Sequence, residues 1–375
     1  MATTGRNTNI SICKGIAIIL MVMGHTEGPQ LLINFIYLFH MPIFFITAGY
    51  FFSKKYLNDP WTFCKKRFKG LYIPFVKWSL FFLIIHNLLF KVGILNEQFG
   101  NWENGVTYPY NWQAFIQRVF SVIFSMGGYD EFLTGAFWFF RALFVTSIVF
   151  LVLYLLLHNR KRWLNETTVP LIICALALIV ALLKIYYGLK IVTVVQGGIR
   201  ECWGVFFFSF GVLYRKYQDK FREHWAQTIV FFVLLCAGSY LKFHGMNLTP
   251  KLYDVATLPM TGIIGFLMVH SIATSIDRRE NIIKRFLVYC GDNTLCIFVF
   301  HISAFKLVSL LKIWWYNLEW GQIGCHMVIH FNSTTDVFFI IYTIVGVAVP
   351  LLWYWGYMKL KHNIKAKRAA AVQAE

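Results

Sequence analysis

Charge is what this sequence has least of. Only 14% of its 375 residues are Asp, Glu, Lys or Arg, and only 17 are acidic, where a soluble domain carries about 25% charged residues. With 58% hydrophobic and 19% aromatic residues, a single globule would lack the polar surface to cover its apolar side chains. The bilayer therefore has to serve as solvent for most of them. Proline is sparse as well, nine in all, so long apolar runs go uninterrupted. The eight cysteines (13, 64, 174, 202, 236, 290, 296 and 325) form no CxxC pair and no ligand spacing. Seven lie in or beside apolar segments, where Cys behaves as a small hydrophobe, which argues against a disulfide framework or a zinc site. No internal repeat, coiled-coil heptad or second soluble domain is visible. Residues 1–9 are polar and no small-residue cleavage site follows the first apolar run. That run reads as a retained helix and not a signal peptide.

What is present is a series of apolar windows. A bilayer core about 30 Å thick needs roughly 20 apolar residues per helix. Windows of that size fall at 10–26, 31–53, 71–91, 133–157, 168–187, 198–214, 226–243, 254–276, 287–311 and 336–358. The fold class expected is an all-α integral membrane protein of about ten transmembrane helices. The net charge of +18 suggests nucleic acid until the charges are placed. With the N-terminus inside, 23 Lys and Arg fall in inner segments, seven in outer segments and five within the spans. This is the positive-inside pattern, not a groove-lining stripe. Both termini are expected in the cytoplasm and no nucleic-acid partner is expected. Residues 1–365 read as one membrane-embedded domain and 366–375 as a short disordered cytoplasmic tail. The outer loop 92–132, rich in Asn, Gly, Tyr and Trp, suits a sugar face or a helix resting in the membrane interface. A multi-pass protein of this kind resembles those of the bacterial inner membrane.

Two residues of the first window stand out. Lys14 and His25 are eleven residues apart, nearly three helical turns, so they share one face about 16 Å apart. Ionisable groups inside a span are functional candidates by default. The charge count places Lys14 toward the cytoplasm and His25 near the outer end. A neutral imidazole can accept a hydroxyl proton, and a lysine can hold a phosphate. The competing reading is an interfacial histidine with a lysine that snorkels to the inner surface.

Around these residues the sequence becomes specific. The run Lys14-Gly-Ile-Ala-Ile-Ile-Leu-Met-Val-Met-Gly-His25 resembles the first signature of the acyltransferase 3 family, a basic residue followed by Gly and an apolar stretch ending in Gly-His. Phe39-His40-Met41-Pro42-Ile43-Phe44-Phe45-Ile46-Thr47-Ala48-Gly49-Tyr50 is similar to its second-helix run. Phe137-Trp138-Phe139 resembles a later "WF" motif, and Gly291-Asp292-Asn293-Thr294-Leu295 with His301 resembles a segment near its end. The resemblance runs in order over about 9–357. It implies a membrane enzyme that takes an acyl group, here expected to be acetyl, from cytoplasmic acetyl-CoA and esterifies a carbohydrate outside, either a surface polysaccharide or a lipid-linked sugar. It implies His25 as catalytic base and Lys14 at the donor phosphates, with Arg67 carried over from an Arg-x-x-Arg pattern whose second position here is Gly70. Two departures are visible. Lys14 stands where the family often has Arg, and Ser11 where it often has an acid.

The remaining candidates rest on local arguments. Glu27 could orient His25 as the third member of a triad does, or could be an exposed loop carboxylate. His40 is placed near His25 and, with Trp138, assigned to the acceptor. An unpaired Arg141 inside a span would be costly. It is assigned to the donor, with a structural pair to Glu201 as the alternative. His301 and Lys306 read as structural, and Gly127-Gly128 as a turn. The rival function is a transporter or flippase of a sugar, lipid-linked glycan or organic anion. Such folds often show inverted repeats and paired broken helices, which are not apparent here.

Overall fold

In hydrocarbon a backbone must satisfy its own hydrogen bonds, and apolar runs of this length do so as helices. The computed structural model describes residues 7–26, 28–100, 108–158, 160–161, 163–221, 224–327 and 337–374, and among them all regular structure is helical. In chain order the first group is α1 (Thr8–Gly24), α2 (Gln30–Tyr37) and α3 (His40–Tyr50). Next come α4 (Lys55–Asn58), α5 (Pro60–Arg67) and α6 (Ile73–Lys91), with a π-helical turn over Phe68–Tyr72 joining the last two. The long connection expected to be the outer one holds α7 (Glu97–Gly100), α8 (Trp112–Ser125) and α9 (Glu131–Thr134), and leads into α10 (Trp138–Leu157). The remainder is α11 (Thr168–Tyr187), α12 (Ile199–Tyr217), α13 (Trp225–Tyr240), α14 (Asp254–Asp277), α15 (Ile282–Asp292), α16 (Thr294–Trp315) and α17 (Phe338–Ala374). The last helix continues through the segment that composition reads as a disordered tail.

Seven helical stretches among the described residues are long and apolar enough to cross a membrane: Gln30–Tyr50, Pro60–Lys91, Glu131–Leu157, Thr168–Tyr187, Asp254–Asp277, Thr294–Trp315 and Phe338–Ile364. The three other expected windows correspond to α1 (17 residues), α12 (19 residues) and α13 (16 residues). The first and last of these are short, and α12 carries Arg200, Glu201, Arg215 and Lys216. Two of the three have a common reason. Helix α1 is wrapped by α2, α3, α14, α15, α16 and α17, and α12 lies against α3, α10, α11 and α14. A helix enclosed by other helices need not match lipid in length or composition. The lipid-like surfaces belong to helices such as α11 and α13, whose Leu171, Ile179, Ile229 and Phe232 are exposed.

Two close crossings hold the interior together. A Cβ on Gly49 of α3 would sit 2.0 Å from the Phe208 carbonyl oxygen of α12, and one on Gly211 of α12 would sit 2.0 Å from the Ile46 carbonyl oxygen. Gly15 of α1 and Gly291 of α15 form a second such pair, against the carbonyls of Leu287 and Ser11. Small residues at a crossing let membrane helices pack backbone to backbone. Gly49→Ala should therefore destabilise the fold by about 1–3 kcal/mol, as overpacking does. Gly356→Ala, whose added methyl meets nothing within 4 Å, should not. Thermal melting of both variants in detergent measures the difference.

Candidate active site

The last four carbonyls of a helix lack intrahelical partners, and at the end of α1 each finds one elsewhere. Met21 O accepts from His25 Nδ1 at 2.8 Å, and Val22 O accepts from the His25 backbone N–H at 3.1 Å. Met23 O accepts from the Thr26 N–H and hydroxyl at 3.0 and 2.7 Å, and Gly24 O accepts from the Tyr37 hydroxyl at 3.0 Å. A carbonyl can only accept, so Nδ1 of His25 carries the proton and Nε2 keeps a lone pair. His40 opens α3 with the same arrangement, its Nδ1 2.8 Å from Ile36 O and the Tyr37 ring edge-on to it at 5.1 Å.

Beside these rings lies a cavity of about 330 Å³, called outer for the side expected from the charge count. His25, Tyr37 and His40 line one part of it, and Trp138, Arg200 and Glu131 line another. The Arg200 guanidinium lies 4.0 Å above the Trp138 ring, with Nε donating to Met246 O at 2.9 Å and Nη1 to Gln196 Oε1 at 3.3 Å. Gln196 is in the left-handed region at φ 63°, followed by Gly197 and Gly198 with φ of 76° and 80°. A bulky residue at positive φ is strained. Here the strained turn aims one amide oxygen at two arginines, since Gln196 Oε1 also accepts from Arg141 Nη2 at 3.1 Å.

Two further groups shape the outer rim. Lys306 Nζ donates to the carbonyls of Ile323 and Cys325 at 2.7 and 2.5 Å, and the next residue, His326, enters the cavity wall. Burial, with His25 and Lys306 facing it, pushes the His326 imidazole down to about 3, so this ring is neutral at physiological pH. On the other side Asp130 caps α9 through the N–H groups of Phe132 and Leu133 at 3.0 and 2.9 Å. The same carboxylate takes His86 Nδ1 and, at 3.2 Å, the Tyr110 hydroxyl. This buried knot ties the outer connection to α6 and sets Glu131 and Phe132 over the cavity.

A second cavity of about 290 Å³, called inner in the same sense, contains Lys14 and Arg67 in its wall. No carboxylate is among its described lining residues, while Thr47 and Thr294 add hydroxyls. Arg67 stands where α5 gives way to the π-helical turn, its Nη2 3.4 Å from Ala48 O and its guanidinium 4.9 Å over Phe63. Gly70 of that turn also lines the cavity, whereas Lys66 and Lys69 do not. Three residues line both cavities: Met21, Met41 and Phe298. Phe298 is braced by Phe137, Phe139 and Phe140 at ring separations of 5.8, 5.8 and 5.1 Å.

This geometry sorts the sequence candidates. His25, His40 and Trp138 meet in the outer cavity, and Lys14 and Arg67 meet in the inner one. Arg141 lines neither. It is buried against Glu201, Nε to Oε1 3.1 Å, so its assignment to the donor gives way to the structural pair. Glu27 lies outside the described residues.

A scan against family models matches the acyltransferase 3 model, an acyltransferase domain, over residues 7–355. The chain belongs to the acyltransferase 3 family. No curated protein matches it, and no solved structure does. Membership in this family, with the seven long apolar helices, makes the chain a multi-pass membrane acyltransferase.

Four residues that the sequence argument left out line the outer cavity of this acyltransferase: Glu131, Gln196, Arg200 and His326. Arg200 had a signal, a cation at the start of an apolar window. Gln196 and His326 had none, because each reaches the site from a loop distant in sequence. For Arg141 the expectation is structural. Removing one partner of a buried ion pair costs about 3–5 kcal/mol, so Arg141→Met should lower the melting temperature sharply. Acyl-CoA affinity of the remaining folded protein, measured by calorimetry, should be unchanged.

Proposed function

We propose that this acyltransferase moves an acyl group, most simply acetyl, from acyl-CoA in the inner cavity to a carbohydrate hydroxyl in the outer cavity, with His25 as general base. The observation that carries this reading is the pair of cavities meeting at Met21, Met41 and Phe298, one with Lys14 and Arg67 in its wall and the other with His25, His40 and His326 beside Arg200. Lys14 and Arg67 are suited to the polyanionic end of acyl-CoA, although Lys offers a phosphate a point charge where Arg offers a two-pronged fork. The neutral thioester arm would pass between the three shared side chains and bring its carbonyl to the outer cavity.

There His25 Nε2 takes the proton of the acceptor hydroxyl as its oxygen attacks the thioester carbonyl. Collapse of the tetrahedral adduct breaks the C–S bond, and the protonated imidazole returns that proton to the departing thiolate. No cysteine relay is needed, since the Nδ1–Met21 bond already presents the lone pair. Trp138, beneath the Arg200 guanidinium, offers a flat surface for a sugar ring, and His40 a second imidazole on the same wall. Glu27 is two residues beyond His25 and remains the proposed partner for its charged form.

The charge distribution supports a topology of ten crossings with both termini in the cytoplasm of a bacterial inner membrane. It puts the Lys14 cavity on the acyl-CoA side and the His25 cavity on the side of a surface polysaccharide or lipid-linked sugar.

Two measurements test the reading. Ester formation on the acceptor glycan, read by mass spectrometry in proteoliposomes supplied with acetyl-CoA, should fall by about 100-fold or more in His25→Ala, the scale of a lost general base. Wild-type turnover would remove His25 from the chemistry, and sugar accumulation without acyl-CoA would favour a transporter. Lys14→Ala and Arg67→Ala should each raise KM for acyl-CoA by about ten-fold, the loss of one charge-assisted contact, with little change in kcat. An unchanged KM would make these cations structural.

A further inference from the structure

His301 reads from sequence as a structural residue, and its surroundings say otherwise. It is buried, 1% exposed, on the face of α16 turned toward α1. Its Nδ1 donates to the carbonyls of Phe298 and Ile297 at 2.9 and 3.2 Å, which fixes the proton on Nδ1 and leaves a lone pair on Nε2. That Nε2 has no hydrogen-bond partner among the described residues. The ring stands edge-on to His25, centroids 5.1 Å apart and planes at 61°, with Phe305 against it at 5.7 Å. Among these neighbours a phenyl ring would fill the same space without burying an unpartnered polar atom. Such an atom in a native interior calls for a reason, and the His25 ring is its polar neighbour.

We propose that His301 is a positioning residue for acyl transfer, its fixed Nε2 lone pair stabilising the His25 ring while that ring holds the proton taken from the acceptor hydroxyl. The inference rests on His25 being the general base. Protonated His25 has its Nδ1–H committed to Met21 O, and no described carboxylate hydrogen-bonds to it. An imidazole whose Nδ1–H is already given to a carbonyl is a preoriented dipole with its negative end at Nε2. Preoriented dipoles in a dry site stabilise developing charge without reorganising. His301 keeps its own proton throughout. The hydroxyl proton goes to His25 and then to the CoA sulfur, so nothing accumulates on His301. His40 and His326 flank the same space, but His326 comes from a loop and His40 has Tyr37 edge-on to its ring.

Three substitutions separate this role from simple packing. His301→Asn retains an amide donor near the Nδ1 position but loses the far nitrogen. His301→Gln extends an amide oxygen to the far position, and His301→Phe keeps the ring and loses both polar atoms. Turnover in proteoliposomes, normalised to folded protein, should drop by about ten-fold or more in Asn and Phe, with KM for acetyl-CoA and for the glycan within about two-fold of wild type. His301→Gln should recover most of that loss. Equal losses in Asn and Gln, or a loss confined to KM, would overturn the proposal. So would wild-type turnover in Asn. His301→Phe can fail to fold without affecting the comparison of Asn with Gln. His25→Ala in the same assay keeps the two claims apart. If it retains turnover the general-base reading falls, whereas a dead His25→Ala beside a fully active His301→Asn removes only the role of His301.

Discussion

The hydrogen bond from His25 Nδ1 to the Met21 carbonyl does three things at once. It closes the end of α1 by giving an orphan carbonyl a partner, it fixes the imidazole tautomer, and it leaves Nε2 as an acceptor. The bond ties the imidazole to the residue whose side chain helps separate the two cavities. Shifting α1 along its axis would therefore move the imidazole and the partition together. The backbone contacts at Gly15 and Gly291 oppose such a shift, because α1 and α15 touch where neither has a side chain.

Around this point the interior is organised by the cost of unpaired charge in a low-dielectric medium. Arg141 and Glu201 neutralise each other, although Arg141 Nη1 has no partner among the described residues. Lys306 gives its protons to two loop carbonyls, and Lys184 gives its own to the Leu189 and Gly197 carbonyls at 2.8 and 2.6 Å. Each of these cations is spent on architecture. Arg200 and Arg67 also donate to backbone oxygens and lie on aromatic faces, but both stand in cavity walls. What separates these two from Lys184 and Lys306 is their place in the walls of the two cavities, not the kind of partner.

Much of this was legible in the sequence where the signal is local. Helical spacing on one continuous helix put Lys14 and His25 on a common face, and both line cavities that share Met21. The apolar windows found the long outer helices. Reading windows against bilayer thickness worked less well for α1 and α12, whose surroundings are other helices. For Arg141 the donor role and the pair with Glu201 stayed open, because an unpaired cation and one paired 60 residues away look the same in a linear pattern. His326 and Gln196 were invisible for the converse reason, since loops bring them in without periodicity. His301 was seen through its motif but read as structural, because an unpartnered nitrogen appears only once neighbours have coordinates.

The partition between the cavities has an electrical consequence. On the proposed topology, the two cavities approach from opposite sides and meet at Met21, Met41 and Phe298. Most of the membrane voltage then falls across those few side chains and not across the full bilayer. A unit charge carried through would exchange about 2.3 kcal/mol with every 100 mV of potential, but a thioester and its amide-linked arm carry none. On the proposed function the donor phosphates would stay with Lys14 and Arg67 on the near side of that drop. On that reading the site would insulate ions while passing a neutral acyl group, and ester synthesis outside would not need to draw on the cell's membrane potential.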